Sequence, residues 1–277
     1  MALPEGFIFS QSSLQDYADC ARRFQLRYLL GCRWPAPEAA DALEFERQLQ
    51  RGYEFHRLMS RLYSGVPAEA LRHAASADPD LAHWWSNYQD TPPQDLPAAV
   101  REAEVTLTTA LGKYRLEARY DLLAGQPGGH WVIVDWKTGQ HRTPRAVLRQ
   151  RLQTRIYPLV LVEAGATLNG GLSIAPEQVE MLYWFAGFPA QPERFAYGEE
   201  QFVADRNFLE GLLHEVETRP EDAFPQTEDR RLCNYCVYRS LCWQDVQAGA
   251  LANLEELEPS AAALEDLDLE AIAPIPF

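Results

Sequence analysis

The 277-residue chain has the composition of a folded, acidic, globular protein. Hydrophobic residues make up 47% and aromatic residues 11% of it, which excludes an intrinsically disordered chain. The net charge of −15 disfavours indiscriminate coating of nucleic acid, because Lys and Arg drive phosphate binding. Removing the seven acidic residues that follow Asn253 reduces the net charge from −15 to −8. The rest of the chain, which is less acidic, could therefore still carry a local basic channel.

The start of the chain lacks a basic segment followed by an apolar one, and no apolar run approaches the roughly 18 residues of a membrane span. We therefore expect a cytoplasmic protein with no membrane association. The length allows one large domain or two small ones. We expect a single domain over 1–247 and an acidic, flexible tail over 248–277.

The first part of the chain, residues 8–90, is predicted to be helical. Helical spacing of apolar residues predicts three helical pieces, at 12–30, 42–63 and 68–88. Cys20 falls within the first piece or at a break in it. The proline-rich stretch at 91–97 then ends the helical part.

The following part, residues 100–218, is predicted to form an α/β core. A strand at 103–109 leads into a hairpin, and a strand at 179–185 precedes an amphipathic helix at 199–218. Between them a long helix is expected from Pro144 to Ala164. Pro158 lies inside that helix and predicts a kink or a one-turn interruption there.

The hairpin, residues 114–139, organises the candidate site. Its first strand alternates apolar and polar residues, and its second strand, 131–137, is almost entirely apolar until Asp135 and Lys137. If the hairpin is symmetric about Gly128, position 121 lies opposite position 135, so Asp121 and Asp135 share one face with Lys137. Two carboxylates so placed suit Mg²⁺ or Mn²⁺, whereas the alternative is a surface hairpin with an Asp–Lys pair. Spacing by itself leaves both interpretations open.

Further motifs accompany this hairpin. The chain carries Asp121, then Asp135-Trp136-Lys137-Thr138-Gly139, then Gln153 and Tyr157 four residues apart, and before them His56 in a Gly-x-x-x-His helix. Together they resemble the PD-(D/E)XK nucleases of the RecB type. The resemblance implies a restriction-endonuclease-like fold, in which helices flank a central mixed β-sheet, with an N-terminal helical region and a C-terminal iron–sulfur loop.

The resemblance also assigns metal ligands. Asp121 and Asp135 would hold Mg²⁺ or Mn²⁺ together with the main-chain carbonyl of Trp136, and His56 would add an imidazole. By itself, His56 would be read as a hydrogen-bonded helix histidine. Imidazole is nonetheless a common metal ligand, and beside the other motifs we expect it to act as one.

The remaining motif residues would act on the substrate. Lys137 would orient or deprotonate the attacking water, which requires a depressed pKa if lysine is to be the base. Gln153 and Tyr157 would contact the nucleic-acid backbone or steady the metal shell. The catalytic set predicted from the sequence is Asp121, Asp135, Lys137, Gln153 and Tyr157.

The five cysteines of the chain form a second group of candidate ligands. In a cytoplasmic protein metal ligation is a more natural use for them than a disulfide framework, and zinc is one alternative. The arrangement of Cys20 with Cys233, Cys236 and Cys242 resembles the iron–sulfur nucleases, including the CRISPR-associated exonucleases and the AddB nuclease domain. The resemblance implies a [4Fe–4S] cluster on these four thiols, in a loop over 231–245. Cys32 is left over and is expected to be a small buried hydrophobic residue.

The sequence thus predicts a metal-dependent deoxyribonuclease, an exonuclease acting on single-stranded or frayed DNA. DNA repair or recombination and CRISPR spacer acquisition both fit this activity. The contrasting hypothesis is a non-catalytic DNA-binding or scaffold module of a repair complex. No phosphate-loop motif for an ATP motor is present.

The acidic tail ends in Ile-Pro-Phe. It is similar to the tip of bacterial single-stranded-DNA-binding proteins, which implies docking on repair or CRISPR adaptation proteins. The alternative is a solvated, disordered tail without a partner.

Overall fold

The computed structural model describes residues 3–4, 6–32, 42–234 and 236–242, with only the backbone described over 42–46. The expected acidic tail, its terminal Ile-Pro-Phe and the last residues of the expected cysteine loop lie outside the described residues. No helix within the described ranges combines the length and the apolar character needed to cross a lipid bilayer.

A six-stranded mixed sheet forms the centre of the domain. Its strands are β1 Ile8–Ser10, β2 Val100–Leu111, β3 Tyr114–Gly125, β4 Trp131–Lys137, β5 Val179–Phe185 and β6 Glu193–Ala196. The spatial order is β1-β3-β4-β5-β6, with β2 paired along the other edge of β3. The pairs β1–β3 and β4–β5 are parallel and the other pairs are antiparallel. The expected mixed sheet is therefore confirmed.

Helices cover both faces of this sheet. They are α1 Gln11–Asp19, α2 Ala21–Phe24, α3 Ala42–Tyr63, α4 Ala68–Ala75, α5 Pro79–Asp90, α6 Arg145–Gln150, α7 Leu152–Ala164, α8 Glu199–Thr218, α9 Arg230–Cys233 and α10 Arg239–Cys242. A π-helical turn, Gln25–Leu29, continues α2. Cys20 lies at the junction of α1 and α2, where its extended backbone separates the two helices.

The sheet separates two hydrophobic cores. One core joins α3, α4 and α5 to one face of the central strands, through buried side chains such as Phe55, Trp84 and Trp184. The other core joins α1, α7 and α8 to the opposite face, through side chains such as Leu14 and Ile156. This three-layer arrangement is the helix-flanked sheet of the restriction-endonuclease-like fold, with α3, α4 and α5 forming one complete layer.

Several element predictions need correction. The part expected to be helical begins with a strand, β1, and the short strand β6 was also missed, since three or four residues give too little periodicity to recognise. The third helical piece, 68–88, consists of two helices. Asp78 is the N-cap of the second of these helices, α5, and its side chain accepts hydrogen bonds from the Asp80 and Leu81 amides. Pro79 occupies the first position of α5, where proline is tolerated.

The long helix after β4 is interrupted at a different point from the one predicted. Arg151 is extended and separates α6 from α7, whereas α7 continues through Pro158. At the break the Thr154 hydroxyl donates to the Leu148 carbonyl, and the Leu152 amide donates to Gln15 Oε1. These side chains satisfy the backbone groups that the break exposes, while burial of α7 around Pro158 compensates for one missing hydrogen bond.

Candidate active site

The antiparallel ladder of β3 and β4 opens at the candidate site. Its last paired residues are Leu122 and Val134, in the register that places position 121 opposite position 135. Beyond them the carboxylate of Asp121, rather than a backbone carbonyl, accepts the Trp136 amide proton at 2.9 Å. The two strands therefore separate at the pair of aspartates, with a side chain in place of the next backbone bond.

An irregularity in β3 coincides with this opening. Tyr120 lies in one core, yet Leu122, two residues further, lies in the other, so the strict alternation is broken at Asp121. On the neighbouring strand β2, Glu104 has a φ of 56°, in the left-handed region that few non-glycine residues adopt. Its carboxylate binds Arg119 at 2.9 Å. The break gives Asp121 access to groups from both helical layers.

His56 reaches Asp121 from the α3 layer. Its Nδ1 lies 3.1 Å from Asp121 Oδ1. Burial alone would lower the pKa of His56, but the Asp121 carboxylate outweighs that effect and raises the pKa to about 9. Burial likewise opposes ionisation of Asp121, yet the interactions with His56 and the Trp136 amide lower its pKa overall. Without a metal, the two groups form a half-buried ion pair.

Asp135, Lys137 and Gln153 form a second group, on the α7 side of the sheet. Lys137 Nζ lies 3.0 Å from Asp135 Oδ2 and 3.3 Å from Gln153 Oε1, and Gln153 Nε2 donates to Asp135 Oδ1. The side chain of Lys137 is 12% exposed. The chain contains two lysines, and the other, Lys113, is 63% exposed and lies in the β2–β3 turn. One of the two lysines of the chain therefore occupies a nearly buried position beside a carboxylate.

Tyr157 and Trp136 occupy different positions relative to this cluster. The pKa of Tyr157 is raised, first by burial and then by the charges of Asp135 and Asp121, and its hydroxyl interacts with Gln153. The Trp136 ring points away from the site and stacks on the Tyr63 ring, with 6.2 Å between the ring centroids. Only the backbone of Trp136 therefore faces the aspartates. Of the sequence-predicted site residues, His56, Asp121, Asp135, Lys137, Gln153 and Tyr157 are therefore brought together.

The carboxylates suit a divalent cation chemically, since oxygen ligands and an imidazole are the donors that Mg²⁺ and Mn²⁺ accept. In the described ranges, no three His, Cys, Asp or Glu side chains converge closely enough to hold an ion. His56 and Lys137 instead engage the two carboxylates directly. A bound cation would replace these contacts as the counter-charge of the aspartates.

The four predicted cluster cysteines line one cavity. Cys20 comes from the α1–α2 junction, Cys233 from α9, and Cys236 and Cys242 from the end of the described chain. Burial raises the pKa of Cys233, and the neighbouring thiols of Cys20 and Cys242 raise it further. Cys32 is not among the residues lining this cavity; its carbonyl accepts the hydroxyl of Tyr238 at 2.8 Å.

Comparison with known proteins identifies the family. The model of the PD-(D/E)XK nuclease superfamily matches residues 8–243. The chain belongs to this superfamily. The family supports nuclease activity, its members generally use divalent metals such as Mg²⁺ or Mn²⁺, and it suggests DNA as a partner. No curated protein sequence matches the chain.

Two solved structures resemble the PD-(D/E)XK chain over most of its length. A candidate exonuclease from Eubacterium rectale is 10% identical, with a TM-score of 0.49, and the alignment covers 90% of this chain and 92% of that one. The protein SSO0001 is 13% identical, with a TM-score of 0.40 and 88% coverage of both chains.

Sequence reasoning missed two residues beside the site. Glu104 adopts its unusual backbone opposite the opening of the ladder, and nothing in its sequence context distinguishes it from other strand glutamates. Gly52 lies one helical turn before His56, and a Cβ atom there would be 2.9 Å from Thr138 Oγ1. The Gly-x-x-x-His spacing was the available signal, but the reason for a glycine appears only when α3 is seen against the residue that follows Lys137.

Proposed function

We propose that this PD-(D/E)XK protein is a Mg²⁺- or Mn²⁺-dependent deoxyribonuclease that removes nucleotides from single-stranded or frayed DNA ends. The observation that carries the proposal is the meeting of Asp121, Asp135 and Lys137 at the opened end of the hairpin, with His56 added from the opposite layer. Placing these charged groups in a largely desolvated site costs folding free energy, which favours a functional role for them.

Four groups would hold the cation: the carboxylates of Asp121 and Asp135, the imidazole of His56 and the main-chain carbonyl of Trp136. When bound, the cation would supply a more acidic water and counter-charge for the phosphate oxygens. Asp121 is already oriented by the Trp136 amide and Asp135 by the Gln153 amide. Each carboxylate is therefore held by a hydrogen bond within the fold, and the ligands would move closer together around a bound cation.

Lys137 would orient the attacking water as an ammonium group, or would deprotonate it only after losing its own proton to become the neutral amine. Its ammonium group is held between Asp135 and Gln153 and lies 5.4 Å from the centre of the Tyr183 ring. Gln153 contacts both the Asp135 carboxylate and the Lys137 ammonium group. It would therefore fix the position of Lys137 relative to the metal ligand Asp135. The contacts of Gln153 and Tyr157 favour the second role considered for them, that of steadying the metal shell.

A basic segment beside the site supports a polyanionic substrate. Residues 141–155 contain five arginines and no acidic residue, in a chain whose net charge is −15. Arg142 and Arg145 both bind Glu193, and the Arg142 guanidinium lies 5.7 Å from the centre of the Phe185 ring. Phe185 is the strand partner of Lys137, so the segment is anchored next to the proposed base. Arginines in this position would attract a phosphate backbone.

The test is degradation of end-labelled single-stranded DNA with Mg²⁺ or Mn²⁺ present. We expect Asp135→Ala and Lys137→Ala to reduce the rate by at least about 100-fold, whereas Lys113→Ala, which removes the other lysine, leaves it unchanged. Comparing single-stranded, frayed and blunt DNA, with circular DNA as the endonuclease control, tests the exonuclease assignment. Binding without degradation under any metal would instead establish the non-catalytic DNA-binding module.

The proposal includes a [4Fe–4S] cluster on Cys20, Cys233, Cys236 and Cys242. Four thiols around one cavity supply a suitable donor set. The Arg22 amide already donates to the Pro225 carbonyl at 3.0 Å. The cluster would add covalent ties between the same distant parts of the chain.

We assign the protein to the cytoplasm, where thiols remain reduced, and to DNA repair, recombination or CRISPR spacer acquisition. Docking on other proteins through the terminal Ile-Pro-Phe belongs to the same proposal. A pull-down of repair and CRISPR adaptation proteins with the full chain and with a chain lacking its last four residues tests this role, and equal capture by both would reject it.

A further inference from the structure

The exposed side of α3 carries an aromatic and a basic residue next to His56. Tyr53 and Arg57 lie three residues before and one residue after His56, and four residues from each other, so both project from the part of the helix that bears the proposed ligand. Tyr53 is 54% exposed. Within the described ranges it makes no hydrogen bond and no aromatic contact.

An exposed ring is unusual in this protein. In the described part of the chain, Tyr53 and Phe208 are the two exposed aromatic side chains. The Phe208 ring is covered by the guanidinium of Arg155 at 4.8 Å. Tyr53 instead offers its ring to solvent less than one helical turn from His56, whose Nδ1 contacts Asp121.

Arg57 adds positive charge beside that ring. Its side chain is 56% exposed and forms an ion pair with Glu54 of the same helix at 2.7 Å. Exposed pairs at this spacing are worth only a few tenths of a kcal/mol, so a phosphate can compete for the guanidinium. An aromatic platform next to an arginine is the combination that binds single-stranded nucleic acid, through base stacking and contact with the backbone.

We propose that Tyr53 stacks on an unpaired base at the DNA end and that Arg57 binds a neighbouring phosphate. The inference rests on the proposed nuclease function and names the feature of the substrate that the site recognises. The bases of an intact duplex are already stacked on one another, so their faces are closed to Tyr53. The pair would therefore give the enzyme its preference for single-stranded or frayed ends.

The experiment uses the full-length protein and DNA strands carrying 2-aminopurine near one end, whose fluorescence falls when the base stacks. We expect Tyr53→Ala to abolish the quenching and to raise KM for single-stranded DNA about 5- to 100-fold, with a smaller effect on kcat. Tyr53→Phe keeps the ring and should behave like the wild type. Phe208→Ala, at the other exposed aromatic residue, serves as the matched control.

Arg57→Ala should weaken binding of all single strands and reduce the salt dependence of binding by about one unit of slope. Wild-type degradation combined with an unchanged KM and unchanged quenching in Tyr53→Ala would overturn this inference and leave the nuclease function standing. Failure of the wild-type protein both to bind and to degrade DNA would overturn the two together.

Discussion

Gly52 packs directly against Thr138: a Cβ atom at position 52 would lie 2.9 Å from the Thr138 hydroxyl oxygen. Thr138 follows the proposed base, and Gly52 lies one turn before His56, so this contact sets the distance between α3 and the end of β4. We expect Gly52→Ala to push α3 away and to reduce nuclease activity by up to about 100-fold. Thermal unfolding should change little, since alanine gains about 1 kcal/mol of helix propensity over glycine.

The partner of this contact supplies the control. Thr138→Ala should be nearly as active as the wild type, and the double variant Gly52→Ala with Thr138→Ala should recover most of the activity, because the clash is gone. Activities of the four proteins form a double-mutant cycle that isolates the contact. Additive effects of the two substitutions would show that Gly52 acts in some other way.

The cysteine cavity predicts which thiols retain iron. Single serine substitutions at Cys20, Cys233, Cys236 and Cys242 should lower iron per chain and visible absorbance, and should lower the unfolding temperature because the cluster ties distant segments together. Cys32→Ser should retain the wild-type iron content and colour. Elemental analysis and unfolding of the anaerobically purified proteins provide the measurements. A colourless wild-type protein containing zinc would contradict the iron assignment.

Asn169 fixes the turn of the site-bearing hairpin. Its buried side chain accepts from the Gly128 amide at 2.7 Å and the Trp131 indole at 3.3 Å, and donates to the Leu172 and Ser173 carbonyls. Gly128 adopts a positive φ of 72° in the turn. We expect Asn169→Ala to lower the free energy of unfolding by about 2–4 kcal/mol, because it leaves buried groups without hydrogen bonds.

Gln178→Ala is the matched control for this substitution, since Gln178 donates to the Gly128 carbonyl at 3.1 Å through a solvent-exposed hydrogen bond. Its cost should stay below about 1 kcal/mol, because water can replace an exposed hydrogen bond. Urea unfolding of both variants gives the comparison. Equal destabilisation by the two substitutions would mean that burial of Asn169 is not the source of its effect.

Asp78 predicts a dependence of stability on pH. Burial opposes its ionisation, but hydrogen bonds from the Leu81 amide and Arg51 lower its pKa overall. A lowered folded-state pKa contributes stability that is present above the unfolded value of about 3.9 and is lost as the pH falls through the folded value. Asp78→Asn keeps a capping side chain without the charge. Its stability deficit should therefore shrink between about pH 5 and the acid limit of folding, as measured by urea unfolding.

The hairpin and the long helices were predictable from local patterns. The bounds predicted for α3, β5 and α8 agree with the structure, because each combines clear periodicity with a clear beginning and end. The break at Arg151 was not predictable. It depends on Gln15 and Thr154 capping the exposed backbone groups, and Gln15 lies far away in the sequence.

The sequence by itself determined the residue types of the candidate site and the register that sets position 121 opposite position 135, because both are local to one hairpin. The tertiary structure decided how these residues interact. The opening of the ladder at Asp121, the approach of His56 from one layer and Gln153 from the other, and the need for glycine at position 52 all depend on packing between distant segments. Local sequence patterns carry no information about such distances, since they are set by the packing of both helical layers on the sheet.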